Sequence, residues 1–126
     1  MRVLQGVNLV EISKLEASVK RQKGISLKRM FTPAERDYCA GKRMKFEHYA
    51  ARLAAKKAFL QAVGINLKKK DAFAGIEVRN EPSGKPRIEL SPRIRKIAGI
   101  MPEDQIELSL AHEREYAIAT VVIVKR

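Results

Sequence analysis

Three polar side chains are predicted to lie on otherwise apolar faces of regular elements. Asn8 falls on the apolar side of a strand predicted over Val3–Ile12, and His112 shares a strand face with leucines of the segment Gln105–His112. Lys57 has apolar neighbours three and four positions away in a predicted helix. An amide, an imidazole or an ammonium group in such a place is a candidate for ligand or proton chemistry. Each also fits a structural role, as a hydrogen-bonded core amide, a strand-end histidine or a lysine whose stem lies along apolar surface.

Two further pairs are defined by their spacing. Arg52 and Lys56 are four residues apart on one face of the predicted helix, a spacing that suits a bound phosphate as well as a solvated basic surface. Ser109 and His112 are three apart in a predicted strand, which puts them on opposite faces and argues against a nucleophile–base pair. The chain has no phosphate-binding glycine loop, no dinucleotide fingerprint and no His-Glu-x-x-His zinc motif.

The clearest predicted element is a helix over Lys45–Val63. Alanines recur in it at steps of three and four residues and form a stripe of small side chains. Gly64 follows directly and is typical of a helix end. Because alanines let another element approach closely, we expect this helix to pack tightly against a sheet.

Two more helix starts are predicted from capping boxes. Ser13 with Glu16 predicts a helix over about residues 14–22, and Thr32 with Glu35 predicts the start of another. Pro33 at the first helical position supports the second start.

The second half of the chain is predicted to be mostly strands, with one short helix over residues 91–99. Two strand pairs are predicted at Ile76–Arg79 with Arg87–Leu90 and at Gln105–His112 with Tyr116–Val124. The last strand is apolar on both faces apart from Thr120, so we expect it to be central in its sheet. This order predicts one α+β domain over residues 1–126, with helices packed on a mainly antiparallel sheet.

The charge of the chain favours a polyanionic partner. Its 126 residues carry 26 Lys and Arg against 14 Asp and Glu, a formal net charge of +12. Residues 36–70 hold ten cations and two anions, whereas residues 101–126 hold three cations and five anions. Nucleic acid, an anionic membrane, an acidic protein and a phosphate-rich small molecule all fit this surplus. Aromatic residues are only 6%, so stacking platforms for nucleic acid would be sparse, and the run Lys68–Lys70 is interpreted as a solvated loop.

The composition also indicates the cellular compartment in which the protein is expected. The one cysteine, Cys39, cannot form an intrachain disulfide, and the longest apolar stretch, Tyr116–Val124, has the length of a strand. Polar residues interrupt the N-terminus, which does not resemble a signal peptide. We therefore expect a cytoplasmic protein without a membrane partner.

Taken together, five stretches resemble the holo-acyl-carrier-protein synthase family of 4'-phosphopantetheinyl transferases, in that family's order and with its spacings. The stretches are Gly6–Ile12, Phe31–Glu35, Arg52–Phe59, Ile76–Asn80 with Gly84–Pro86, and Leu108–Ala117. The resemblance implies the family's α+β fold, usually a trimer with active sites between subunits. It also implies the family's reaction, in which the phosphopantetheine arm of coenzyme A is transferred to a serine of an acyl carrier protein and adenosine 3',5'-bisphosphate leaves.

The resemblance also assigns expected roles to residues. His112 matches a position beside the reacting phosphates, and it forms the expected catalytic set with Lys56 and Lys57. Lys14 and Arg21 match the basic helix with which family members dock the acidic carrier protein. The expected coenzyme A contacts are Arg52, Lys56, Gly64, Lys85, Pro86 and Ser109.

Three places depart from the family's pattern. The family has an aspartate where this chain has Asn8 and a glutamate where it has Lys57, and those two carboxylates hold Mg²⁺ at the pyrophosphate. Because Mg²⁺ prefers hard, usually anionic oxygen ligands, the residues here are not expected to hold it. Asn8 with a protonated Lys57 carries one positive charge, so we expect Lys57 to contact the pyrophosphate in place of the metal. The family's Gly-Thr-Gly after the long helix is altered to Gly64-Ile65-Asn66.

Three functions stay open on the sequence. The first is a phosphopantetheinyl transferase, either independent of metal or reliant on a dedicated partner. The second is a catalytically impaired family member that binds coenzyme A or a carrier protein, or that joins an active paralogue. The third is a basic nucleic-acid-binding protein that reuses the fold, for which duplex binding would depend steeply on salt.

Overall fold

The computed structural model describes residues 1–21, 25–66 and 70–126. In chain order the elements are β1 (Arg2–Glu11), α1 (Ile12–Arg21), α2 (Ile25–Met30), α3 (Pro33–Ala40), α4 (Lys45–Val63), a 3-10 helix (Lys70–Gly75), β2 (Ile76–Asn80), β3 (Pro86–Leu90), α5 (Pro92–Ala98), β4 (Gln105–His112) and β5 (Tyr116–Lys125). The predicted α+β class with antiparallel strands is confirmed. The loop predicted at Lys68 and Lys69 lies outside the described residues. None of the described helices combines the length and the hydropathy that a membrane span needs.

The strands form two antiparallel sheets rather than the single sheet that the sequence predicts. β5 is the central strand of a three-stranded sheet with the order β1-β5-β4, as its apolar sequence predicts. Its inward-facing residues Ala117, Ala119, Val121 and Ile123 have no exposed surface. β2 and β3 pair with each other in a separate two-stranded sheet.

Helix α4 lies at the centre of the fold and contacts both sheets. Twelve of its 19 residues are buried. Gly6 of β1 faces it, and a Cβ atom on Gly6 would lie 2.0 Å from the carbonyl oxygen of Ala58 and 2.9 Å from the amide nitrogen of Ala62. Strand and helix therefore meet backbone to backbone, which confirms the close packing predicted from the alanine stripe. Gly64 ends α4 in the left-handed conformation, with φ of 70°, as predicted.

The helix starts agree with the sequence at one capping box and differ at the other. The hydroxyl of Thr32 accepts a hydrogen bond from the amide of Glu35 at 3.2 Å, and the Thr32 amide donates to the Glu35 carboxylate at 2.9 Å. The box predicted at Ser13 is wrong, because α1 already begins at Ile12, whose amide donates to the carbonyl oxygen of Glu115 at 2.9 Å. Helix α2 and the 3-10 helix were not predicted, since six residues are too few to show a helical period.

One face of the three-stranded sheet is left uncovered by the described residues and is largely apolar. Val7 and Leu9 of β1 are 52% and 57% exposed, and Tyr116 and Ile118 of β5 are each 39% exposed. The strand register places Leu9 opposite Ile118, so these side chains form one surface, called the outer sheet face below. Apolar patches of this kind mark association surfaces.

Candidate active site

His112 ends β4 and reaches the first turn of α4. Its Nδ1 lies 2.9 Å from Oε1 of Glu47, and its ring centroid lies 5.1 Å from that of His48 in an edge-to-face arrangement. The side chain of His112 is 32% exposed and that of Glu47 only 13%. No described residue forms a hydrogen bond with Nε2 of His112. One ring nitrogen is therefore held by a carboxylate, while the other is available to a ligand.

His48 packs against a second side of the His112 ring. Burial lowers the pKa of His48, and the neighbouring His112 and Arg52 lower it further. His48 is therefore neutral at neutral pH, and its ring also lies edge-on to that of Tyr38, with 5.8 Å between centroids. The imidazole of His112 is thus placed between a carboxylate and a neutral ring.

A cleft of about 560 Å³ opens beside the Glu47 carboxylate, between the N-terminal ends of α1 and α4. Three cations line it, Arg43, Lys45 and Arg114, against two carboxylates, one of which is already bonded to His112. A concave surface with an excess of cations concentrates anionic ligands. The cleft therefore suits a phosphate-bearing ligand.

Asn8 lies on the inner face of β1, two residues beyond the contact between Gly6 and α4. Its Oδ1 is buried and has no hydrogen-bond partner among the described residues. The structural role considered for Asn8, a hydrogen-bonded core amide, is therefore wrong for its Oδ1. A buried acceptor without a partner costs about 1–3 kcal/mol, so a donor that reaches this oxygen would be stabilising.

Lys57 is exposed although the residues on either side of it in α4 are buried. It lines a second cleft, of about 320 Å³, together with Leu9, Val10 and Lys14. Leu9 and Val10 directly follow Asn8 along β1, so Lys57 lies beside the strand that carries Asn8. The Oδ1 of Asn8 accepts no hydrogen bond from Lys57 or from any other described residue.

The predicted catalytic residues form two clusters rather than one. Lys57 is ten residues beyond Glu47 in α4, which corresponds to about 15 Å along the helix axis. The two clefts lie on either side of the first turn of α1, since Ser13 borders the first cleft and Lys14 the second. A ligand that engages both His112 and Lys57 must therefore extend across this turn or bind between copies of the chain.

Lys56 is fully buried, which corrects the expectation that its ammonium group contacts a phosphate. Its Nζ donates at 2.7 Å to Oε1 of Glu35 and to the carbonyl oxygens of Phe73 and Ile76. Three acceptors use all three N–H groups of an ammonium. Burial lowers the pKa of Lys56, and the Glu35 carboxylate opposes that shift. Lys56 therefore joins elements of the fold and is not available to a ligand.

Arg52 lies one turn before Lys56 and is 3% exposed. Its Nη2 donates to Oδ1 of Asn80 at 2.7 Å, and its Cζ lies 4.1 Å from the ring centroid of Tyr38. Its Nε is buried and bonds to none of the residues that the structure describes. The phosphate-binding pair predicted from the four-residue spacing is not formed, because Lys56 is already fully bonded. Of these two residues, only Arg52 stays a predicted coenzyme A contact.

The remaining predicted contacts do not converge with His112 within one chain. Lys85 and Pro86 line a separate cleft beside the connection between β2 and β3. Ser109 is exposed on the outer sheet face, on the opposite side of β4 from His112, as its spacing predicts. Gly64 lies at the C-terminal end of α4. These assignments stay predictions.

A family model described as the 4'-phosphopantetheinyl transferase superfamily matches residues 5–121. The chain belongs to this superfamily. A protein of Geobacter sulfurreducens named "Holo-[acyl-carrier-protein] synthase" is 37% identical over 118 residues, which make up 94% of each chain. A protein of the same name from Moorella thermoacetica is 39% identical over 94% of this chain and 91% of its own.

Solved structures of the superfamily have the same fold. A structure described as the "Chronobacterium ammoniagenes ACPS-CoA complex" has a TM-score of 0.86 at 26% identity and covers 100% of this chain and 99% of its own. The holo-[acyl-carrier-protein] synthase of Helicobacter pylori in complex with coenzyme A has a TM-score of 0.81 at 27% identity, over 96% of this chain and 100% of its own. The transferase fold expected from the sequence is confirmed.

The residues of this superfamily member do not fit the Mg²⁺ that the resemblance implies. Asn8 offers one neutral amide oxygen, and Lys57 offers an ammonium group, which has no lone pair for a metal. In the part of the chain that the structure describes, no three His, Cys, Asp or Glu side chains are grouped closely enough to hold a metal ion. These residues therefore supply no ligand set for a metal-dependent step.

Sequence reasoning missed the two residues of α4 that contact His112. Glu47 and His48 lie 65 and 64 positions before it, and no spacing rule connects a helix start to the end of a strand so far along the chain. The available signal was Glu47 itself, an acidic residue in the first turn of an otherwise apolar and basic helix.

Proposed function

We propose that this transferase-superfamily member transfers the 4'-phosphopantetheine arm of coenzyme A to a serine of an acyl carrier protein. The observation that carries the proposal is the match of relatives named "Holo-[acyl-carrier-protein] synthase" over 94% of the chain. Two structural neighbours that cover nearly all of it bind coenzyme A. The free, buried thiol of Cys39 suits a reducing compartment, so we place the reaction in the cytoplasm.

In the proposed reaction the serine hydroxyl of the carrier protein attacks the β-phosphorus of coenzyme A. A new phosphorus–oxygen bond forms to the serine, the bond to the bridging oxygen of the pyrophosphate breaks, and adenosine 3',5'-bisphosphate leaves. The proton of the hydroxyl passes to Nε2 of His112, the ring nitrogen that no described residue engages. General-base help of this kind contributes about 10²- to 10⁴-fold to a rate.

The charges of the molecule support both substrates of this reaction. Arg43, Lys45 and Arg114 line the cleft beside Glu47 and suit the phosphates of coenzyme A. Lys14 and Arg21 are exposed on α1, in agreement with the role expected for them in docking an acidic carrier protein. The two surfaces adjoin, because α1 borders the cleft.

We also propose that the Lys57 ammonium group supplies positive charge at the pyrophosphate, with Lys57 and His112 coming from adjoining copies of the chain because the two lie in separate clefts within one copy. Lys57 is exposed in a cleft that borders the strand carrying Asn8, whose buried Oδ1 accepts from none of the described residues. An ammonium group can donate to that oxygen and to phosphate oxygens together, which a metal-free site requires. Binding of coenzyme A is then expected to be unchanged by excess chelator.

The outer sheet face supports the expectation of a homotrimer with sites between subunits. Leu9 and Ile118 are exposed side by side on it, and Ser109 lies on the same face of β4. Burying such a face between copies of the chain removes apolar surface from water at about 25 cal/mol per Å². It would also bring Ser109 to the boundary between subunits, where the resemblance places coenzyme A.

The deciding experiment is intact-mass spectrometry of an apo acyl carrier protein incubated with coenzyme A and this protein. A gain of one phosphopantetheine arm in excess chelator supports the transferase and its independence of metal. A gain only after Mg²⁺ is added supports the transferase and overturns the role given to Lys57. No gain with several carriers, with or without Mg²⁺, overturns the proposed transfer and favours a family member that binds without transferring.

A further inference from the structure

We infer that Glu47 is a positioning residue for His112, holding the imidazole with its proton on Nδ1 and its lone pair on Nε2. The inference rests on the proposed function for its kinetic consequence, because His112 is the proposed proton acceptor. The position of the proton on the His112 ring is inferred from the contact of 2.9 Å between Nδ1 of His112 and Oε1 of Glu47.

The chemistry of the two groups fixes the direction of this hydrogen bond. An ionised carboxylate only accepts, so the ring nitrogen beside it must donate. A neutral imidazole carries one N–H, and its other nitrogen is then an acceptor. With the proton of His112 held on Nδ1, the lone pair is on Nε2, as a general base for a serine hydroxyl requires.

The start of α4 is a suitable place for a carboxylate that accepts from the His112 ring. Glu47 lies in the first turn of a 19-residue helix, and its amide donates to the carbonyl oxygen of Met44 at 3.0 Å. The helix dipole stabilises a negative charge in the first turn. At 13% exposure the Glu47 side chain is mostly shielded from water, so its bond to His112 competes little with solvent.

His48 restricts the ring from a second side. Its edge-to-face contact with His112, at 5.1 Å between centroids, packs a second ring against the imidazole that Glu47 holds. Burial keeps the pKa of His48 low, so His48 stays neutral and does not compete for the negative charge of Glu47. Carboxylate and neutral ring together define one orientation of the proposed base.

A purely structural ion pair would show the same contact, so the test must read the position of the proton. The chain has two histidines, so ¹⁵N-histidine NMR of the full-length protein gives two ring systems, and a His48→Phe variant assigns them. We expect His112 in the Nδ1–H form at pH 8 in the native protein. We expect Glu47→Ala to convert it largely to the Nε2–H form, and Glu47→Gln to keep part of the Nδ1–H form through its amide oxygen.

The kinetic arm uses the same variants in carrier-protein modification. We expect Glu47→Ala to lower kcat about 10- to 100-fold with less than a twofold change in KM for coenzyme A, and Glu47→Gln to fall between it and the native protein. Glu103→Ala removes a carboxylate from an exposed turn and serves as the matched control. Circular dichroism confirms that each variant is folded.

The outcomes separate the inference from the proposed function. A native His112 in the Nε2–H form, or an unchanged Nδ1–H form in Glu47→Ala, overturns the inference whatever the enzyme does. A changed tautomer with an unchanged kcat overturns the positioning role in transfer. If the native protein transfers nothing, the proposed function fails, and the NMR arm still decides whether Glu47 holds the ring.

Discussion

Glu35 and Lys56 form an ion pair in which both side chains are fully buried and 2.7 Å separates Nζ from Oε1. The other carboxylate oxygen of Glu35 accepts from the amide of Val78 at 2.8 Å. The pair therefore ties the start of α3 and the middle of α4 to β2. Because buried charges are costly unless each is bonded, this part of the core depends on both partners.

We expect Lys56→Met to lower the free energy of unfolding by about 3–5 kcal/mol, because it leaves the Glu35 carboxylate buried without its counter-charge. Urea unfolding measures the loss. Lys57→Met is the matched control, because Lys57 directly follows Lys56 in α4 but is exposed. It should change the free energy of unfolding by less than about 0.5 kcal/mol. A loss of unfolding free energy in Lys56→Met as small as that in Lys57→Met would show that Lys56 is not a structural residue.

A methyl group at Gly6 is predicted to disrupt the contact between β1 and α4. The added Cβ would lie 2.0 Å from the carbonyl oxygen of Ala58, a backbone atom that cannot move by itself. We expect Gly6→Ala to destabilise the fold by about 1–3 kcal/mol or more, as overpacking does. Gly41→Ala is the control, because its Cβ would meet nothing closer than 3.8 Å. A thermal midpoint for Gly6→Ala within error of that control would contradict the close approach.

Much of this fold could be predicted from local signals. The alanine stripe and Gly64 give α4 and its end, and the capping box at Thr32 gives the start of α3, because these signals act within one helix. The capping box predicted at Ser13 does not form, and it shows the limit of such local signals. The amide of Ile12 is bonded by Glu115, more than 100 residues later, and a long-range contact of that kind leaves no trace in local spacing.

The site was harder to predict than the fold. Spacing gave the one-turn relation of Arg52 to Lys56 but not their burial, which depends on Glu35 and Asn80 from other elements. The resemblance selected His112 as a functional position. Its contact with Glu47 depends on how β4 packs against α4, which no spacing within either element encodes.

Cys39 is predicted to be unreactive in the folded protein. It is fully buried, and burial raises the pKa of its thiol to about 11. The thiolate is the reactive form, so the thiol stays protonated and inert until the pH approaches that value. We expect iodoacetamide at pH 8 to leave the native protein unlabelled while urea-unfolded protein is labelled fully. Rapid labelling of the native protein would show that this core opens readily.

The outer sheet face is predicted to hold copies of the chain together. Ile118→Lys places a charge in its centre, and we expect it to shift the native assembly to monomers in sedimentation velocity. Ile97→Lys is the control, because Ile97 is 44% exposed on α5, away from that face. A native monomer, or an assembly unaffected by Ile118→Lys, would contradict association through this surface.

Lys57 is predicted to bind coenzyme A through its charge. Lys57→Ala removes the only cation that α4 presents to the cleft beside Leu9 and Val10 among the residues described there. A charge-assisted hydrogen bond contributes about 1.5–3 kcal/mol, so we expect the Kd for coenzyme A to rise about 10- to 150-fold in calorimetry. Lys96→Ala removes an exposed charge from α5 and should leave the Kd unchanged. The native Kd should be equal in chelator and in Mg²⁺. Tighter binding in Mg²⁺, or equal binding by the two variants, would show that the ammonium group does not replace the metal.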